Sequence, residues 1–280
     1  MSMSKPIADA VASAASVAAG GDGGTTRTVL LNLAAYAAAH VVLDRVWQMG
    51  LGQAKYRALS RRDRIYLAEK ILSSANALVT SGLAFKAIFL DKAYDGDVLN
   101  PYPDLAHTVF ASMCGYTIYD LFTMWAQGGD HWSMWIHHIM SLYGTSLIMY
   151  FRKPSFFPLL FAVSEITALA NNVVWYAQTL RPTSSWLPSL MAARAVTFTV
   201  ARVWIAPYAL ARALAQAQYD PAMLWAQWFG TSSSLTKIAA FLTALNVFTI
   251  GWFNVGWTTA VWKLAVRAIR GVPLRKAKRA

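Results

Sequence analysis

Residues 132–151 read WSMWIHHIMSLYGTSLIMYF. At about 1.5 Å of rise per residue, a helix of this length reaches across the roughly 30 Å hydrocarbon core of a bilayer. The run contains no Asp, Glu, Lys or Arg, yet it places two adjacent histidines, His137 and His138, five or six residues inside one end. It therefore reads as a membrane-spanning helix that carries polar groups where polar groups are costly. Six further apolar runs share the chain with it, at about 28–50, 66–90, 105–127, 156–178, 186–211 and 236–262. Each is long enough for a helical span.

Composition agrees. The 280 residues are 56% hydrophobic and 14% charged, with a mean hydropathy of +0.37. That leaves too little polar surface for a water-soluble globule. The expected fold class is all-α: a polytopic membrane bundle of about seven spans. The first 27 residues are mostly Ala, Gly, Ser and Thr, and are expected to be a disordered tail. A short interfacial helix is expected from Asp220 to Phe229, where Asp220 precedes Pro221 and Met223, Leu224, Trp225 and Trp228 follow. The single cysteine, Cys114, lies in an apolar run and cannot form an intramolecular disulfide.

The net charge of +12 sits at two places. Residues 51–66 carry Lys55, Arg57, Arg61, Arg62 and Arg64 against Asp63. Residues 263–280 carry Lys263, Arg267, Arg270, Arg275, Lys276, Lys278 and Arg279 with no acid. Basic clusters flanking apolar runs read as cytosolic anchors attracted to anionic lipid, and nucleic acid is set aside as a partner. The 91–104 loop, with Asp91, Asp95, Asp97 and Asp104 against Lys92, falls on the opposite side. Seven spans put the C-terminus in the cytosol. Lys276 and Lys278 match a dilysine-like retrieval signal for the endoplasmic reticulum, with ordinary anchor charges as the alternative.

Polar residues inside the runs converge on one depth. Asp120, His137, His138, Asn172 and Arg194 each fall about 8–12 Å from the basic side, and Glu165 and Arg202 lie a turn or more deeper. One reading has Asp120 and Glu165 neutralising Arg194 and Arg202 as internal struts, with the histidines bonding across helices. The other makes the layer a water-accessible cavity opening to the cytosol, because several helices contribute to it at a common depth. Metal binding by His131, His137 and His138 is a weaker alternative, since the di-iron His-box enzymes need about eight histidines and this chain has five. A retinal protein would need a mid-span lysine in the last run, where Lys263 stands at its end. Imidazole near neutral pH suits general acid/base or nucleophilic work.

Five segments carry a resemblance: GYTIYDL (115–121), WIHHIMSL (135–142), SEITALANNVVW (164–175), VARVWIAPY (200–208) and LNVFTIGWF (245–253). From about residue 64 to 270 the chain resembles the TLC-domain family. These are multi-span endoplasmic reticulum proteins that include ceramide synthases and a larger group of lipid-homeostasis proteins. The resemblance implies a six-helix core with one extra N-terminal span, and a basic cytosolic tail at 271–280. It also implies that His137 and His138, with Asp120 and Glu165, are the catalytic candidates and that Asn172 and Trp175 contact substrate; Arg194 and Arg202, from their depth in the polar layer, are added as substrate contacts. No bound cofactor is implied, although acyl-CoA fits as a co-substrate. Ceramide synthases follow the His pair with a His-Asp and a further Asp. Here Ser164 precedes Glu165, and Ala168 stands at the last acid. The non-synthase branch shows Pro and Arg where this chain has Leu169 and Val174, and a histidine often found in the family's first span is Asn76 here. The expectation is thus a divergent member of the non-synthase branch, acting in membrane-lipid homeostasis. The alternatives are an acyl-CoA-dependent N-acyltransferase and a non-enzymatic lipid carrier or cargo receptor.

Overall fold

The computed structural model describes residues 23–181, 183–229 and 234–272, and these form an all-helical bundle. In chain order the helices are α1 (Gly23–Leu51), α2 (Gln53–Ala58), α3 (Arg61–Phe85), α4 (Asp104–Ala126), α5 (Trp132–Phe151), α6 (Phe156–Ser164), α7 (Thr167–Leu180), α8 (Leu187–Phe198), α9 (Ile205–Gln216), α10 (Pro221–Phe229) and α11 (Ser234–Ile269). A π-helical turn, Lys86–Leu90, extends α3, and a second, Thr199–Val203, joins α8 to α9. Seven long rods result among the described residues. Four of them, 24–51, 61–90, 156–180 and 187–216, are long and apolar enough to cross a membrane. The rods of α4, α5 and α11 have 23, 20 and 36 residues and are long enough. Their mean hydropathy is lowered by Asp120, the His pair, Asn246 and Asn254, groups that the fold turns inward.

Local signals set the helix ends. Ser60 caps α3: its hydroxyl accepts from Asp63 N–H at 3.1 Å and donates to the Asp63 carboxylate at 2.6 Å, satisfying orphan donors of the first turn. Asp220 does the same for α10, accepting from Ala222 N–H at 2.8 Å, and the expected short helix begins there. The run at 156–178 reads as one helix in sequence but is broken: Glu165 and Ile166 sit between α6 and α7, with N–H bonds to Ala162 and Val163 in the tighter i→i−3 pattern. The first helix starts at Gly23, before the expected boundary at 28. The expected tail up to residue 22, and the tail residues 273–280 with both retrieval-signal lysines, lie outside the described residues.

Six rods close into a ring. In spatial order α3 packs on α4, α4 on α5, α5 on α11, α11 on α8, α8 on α7, and α7 back on α3. The ring is sealed at the end carrying the 91–104 loop. There α6 reaches across to α3, α4 and α9, and Val98, Leu99, Phe110, Phe156, Leu159, Leu160 and Ile205 make a buried apolar floor. The loop is tied to this floor by its own hydrogen bonds. Asp97 accepts from the N–H groups of Leu99 and Asn100 and from the amides of Asn100 and Gln216. Partial burial pushes the Asp97 carboxyl up, but those four donors outweigh it and hold the group below its usual range.

Helix α1 lies outside the ring, against α3 and α4. Three of its polar side chains reach inward: Tyr36 Oη donates to Asn76 Oδ1 at 2.9 Å, His40 Nδ1 meets Tyr119 Oη at 2.6 Å, and Trp47 Nε1 donates to the Leu67 carbonyl at 3.0 Å. Gly115 permits the close approach. A Cβ there would lie 2.7 Å from Asn32 Cβ and 2.8 Å from the Val29 carbonyl oxygen.

Candidate functional site

The end of the ring opposite the floor is open, and inside it lies a cavity of about 440 Å³. Its walls come from the basic-end halves of all six rods. Tyr66, Glu69 and Lys70 are on α3, Tyr116 and Asp120 on α4, His137 and His138 on α5. Asn172 and Trp175 are on α7, Arg194 and Phe198 on α8, and Trp257 and Val261 on α11. Glu165, at the break before α7, and Arg202, in the π turn, line its deep end. All eight residues singled out from the sequence therefore meet around one space.

Their partners differ from the simplest pairing. Asp120 pairs with His138 instead of an arginine: Nε2 to Oδ2 is 2.6 Å, and both residues are buried. The other ring nitrogen, Nδ1, lies 2.8 Å from the Met134 carbonyl. A carbonyl can only accept, so Nδ1 carries a hydrogen. With oxygen acceptors at both nitrogens, His138 and Asp120 share a proton inside the wall, and neither nitrogen is left for a substrate. Thr123 Oγ1 donates to Asp120 Oδ1 at 2.9 Å and fixes the carboxylate further.

His137 is different. Its ring stands edge-on to His138 and to Trp257, each at 5.2 Å between centroids. Its Nδ1 is buried without a hydrogen-bond partner, and the residue borders both the main cavity and a second, smaller one. Of the two adjacent histidines, one is bonded into the wall and the other presents a free nitrogen.

The arginines also diverge. Arg202 Nε donates to Thr167 Oγ1 at 2.7 Å, Nη1 to Asn254 Oδ1 at 2.9 Å and Nη2 to Glu165 at 3.3 Å, which ties the break before α7 to α11. Arg194 has buried Nε and Nη2 atoms with no hydrogen-bond partner. The expectation that two acids neutralise two arginines thus holds only for Glu165 and Arg202, because Asp120 is taken by the imidazole. Asn172 donates to the Lys70 carbonyl at 3.0 Å and to Ser74 at 2.9 Å, so its amide joins α7 to α3 at the cavity wall. Trp175 stands edge-on to Tyr66 at 5.7 Å.

Two charged lining residues were missed. Glu69 and Lys70 form an ion pair at 2.7 Å, and Tyr116 Oη donates to Glu69 at 3.2 Å. An adjacent acid and base one turn into the second apolar run was the available signal, at the same depth as the other polar groups. No group of three or more His, Cys, Asp or Glu among the described residues is placed to hold a metal ion.

The second cavity, of about 60 Å³, continues toward the floor between α5, α6 and α11. Met140, Pro158, Phe161, Val247 and Ile250 make it largely apolar, and it shares the walls Met113, His137, Ser141 and Glu165 with the first. A larger cavity with charged walls thus adjoins a smaller, largely apolar one inside the ring of helices. The family model of the TLC domain matches residues 67–263, which is most of the six-helix ring. The chain belongs to the TLC domain family. It is an integral membrane protein of a family associated with lipid handling. The matched segment starts inside α3, so α1 lies outside it. Comparisons with curated proteins and with solved structures gave no match.

Proposed function

We propose that this TLC-domain protein holds an acyl lipid within the ring and acts in membrane-lipid homeostasis in the endoplasmic reticulum, with the open end facing the cytosol. The polar end of the lipid lies among the charged groups, and its chain runs past His137 into the apolar chamber. The observation carrying this reading is that the two cavities adjoin, sharing the lining residues Met113, His137, Ser141 and Glu165. The test is lipid mass spectrometry of the purified protein. Acyl lipids should co-purify with the wild type, and Ser141→Phe, which fills the junction, should remove them or select shorter chains at unchanged thermal stability. An unchanged lipid set in that variant rejects the reading.

The free Nδ1 of His137 favours acyl transfer over passive carriage. A neutral imidazole nitrogen facing a substrate can take the proton of an amine that attacks the thioester and return it to the departing CoA thiolate, or can itself displace that thiolate and then pass the acyl group to the amine. Protein in liposomes with labelled acyl-CoA and candidate amines should yield an acylated product that His137→Ala abolishes. Binding without turnover would instead make the protein a lipid carrier or cargo receptor.

A further inference from the structure

Charge pairing around the cavity leaves one group over. Three carboxylates line it, and each has its own cationic or imidazole partner: Glu69 with Lys70 at 2.7 Å, Asp120 with His138 at 2.6 Å, and Glu165 with Arg202 at 3.3 Å. Arg194 lines the same cavity, and no carboxylate among the described residues lies within ion-pair reach of it. Its Nε and Nη2 are shielded from solvent and unbonded. A guanidinium in that position lacks acceptors on the side where its planar fork could take two oxygens at once. Phe198, one turn along α8, and Val261 and Leu264 on α11 are apolar lining residues near it. They strengthen any charge–charge contact made there.

We propose that Arg194 is the receptor for a single oxyanion of the bound lipid, supplied by the phosphodiester of a phospholipid or the carboxylate of a fatty acid. This rests on the acyl-lipid reading of the cavity and specifies its ligand. The anion carries one charge. One cation is unmatched, and a phosphomonoester dianion would bring a second negative charge beside Glu69, Asp120 and Glu165 with nothing to offset it. The location fits an amphiphile: Arg194 lies eight residues, or about 12 Å of helix, nearer the open end than Arg202. An oxyanion at Arg194 thus leaves the acyl chain pointing toward His137 and the apolar chamber.

The experiment uses the full-length protein, delipidated in detergent, with tritiated oleyl alcohol as the neutral probe. Displacement is measured with oleate, dioleoylphosphatidylcholine and dioleoylphosphatidate, in wild type, Arg194→Gln, Arg194→Lys and Ser141→Phe. Oleate or the phosphatidylcholine should bind about ten- to a hundred-fold more tightly than oleyl alcohol, the range expected for a charge-assisted pair. Whichever shows the preference identifies the source of the oxyanion. Phosphatidate should show less preference than phosphatidylcholine. Arg194→Gln should lose the preference while still binding oleyl alcohol, and Arg194→Lys should recover part of it. Equal wild-type affinity for oleyl alcohol, oleate and phosphatidylcholine overturns the proposal, as does a preference that survives Arg194→Gln. Should the Gln variant not fold, the wild-type comparison decides together with an oleate carrying its photoreactive diazirine next to the carboxylate, whose crosslinks should fall on residues 190–198 of α8; crosslinks elsewhere overturn the assignment. Failure of the underlying reading looks different: oleyl alcohol then does not bind, or binds equally well to Ser141→Phe.

Discussion

His137 and His138 are neighbours in sequence with opposite surroundings. The His138–Asp120 contact is a buried, charge-assisted pair, and removing one member strands the other at a cost of about 3–5 kcal/mol. His138→Phe and Asp120→Leu should each lower thermal stability in detergent by about that amount. The double variant should lose less than the two single losses combined, with a coupling of about 0.5–3 kcal/mol. Additive losses would show that the two side chains do not act as a unit. His137→Phe removes a ring with no hydrogen bond at Nδ1, so stability should change little in the same assay.

At the scale of helices, α1 is part of the bundle although it lies outside both the ring and the TLC match. Gly115 sets its distance from α4, and the atoms closest to an added side chain are Asn32 Cβ and the Val29 backbone carbonyl oxygen, which cannot swing aside. Gly115→Val should push α1 away and break the His40–Tyr119 contact, lowering stability by about 1–3 kcal/mol, as overpacking generally does. Limited proteolysis after Leu51 checks this: the variant should be cut faster than wild type, and equal rates would mean that α1 docks by other contacts. The rods themselves were legible in sequence, because a bilayer requires long apolar helices and the runs show their length directly. The break at Glu165 was not, because hydropathy is continuous across it. Nor was the identity of each ion pair. Spacing along one helix places residues on a common face, but whether Asp120 meets Arg194 or His138 depends on which rods adjoin in the ring, and α4 adjoins α5 there, not α8.

For the whole molecule, the charge pattern and the cavity share one axis. The open end is the end of Arg61, Arg62 and Arg267, and the floor is the end of Asp95 and Asp97. With the basic end in the cytosol, glycosylation acceptors placed in the 91–104 loop should be modified and those placed beyond residue 270 should not; the reverse pattern would put the mouth of the ring in the lumen. The sealed floor has a consequence for traffic. A vessel with a single mouth exchanges its contents with only one leaflet, so a lipid that enters must leave by the way it came. On the acyl-lipid reading proposed above, the protein would therefore serve lipids of that leaflet alone and would not carry them across the bilayer. On that reading any asymmetry between the two sides of its membrane would be left as it was, and successive ligands would take turns: the next tail could not reach the inner chamber until the previous one had withdrawn.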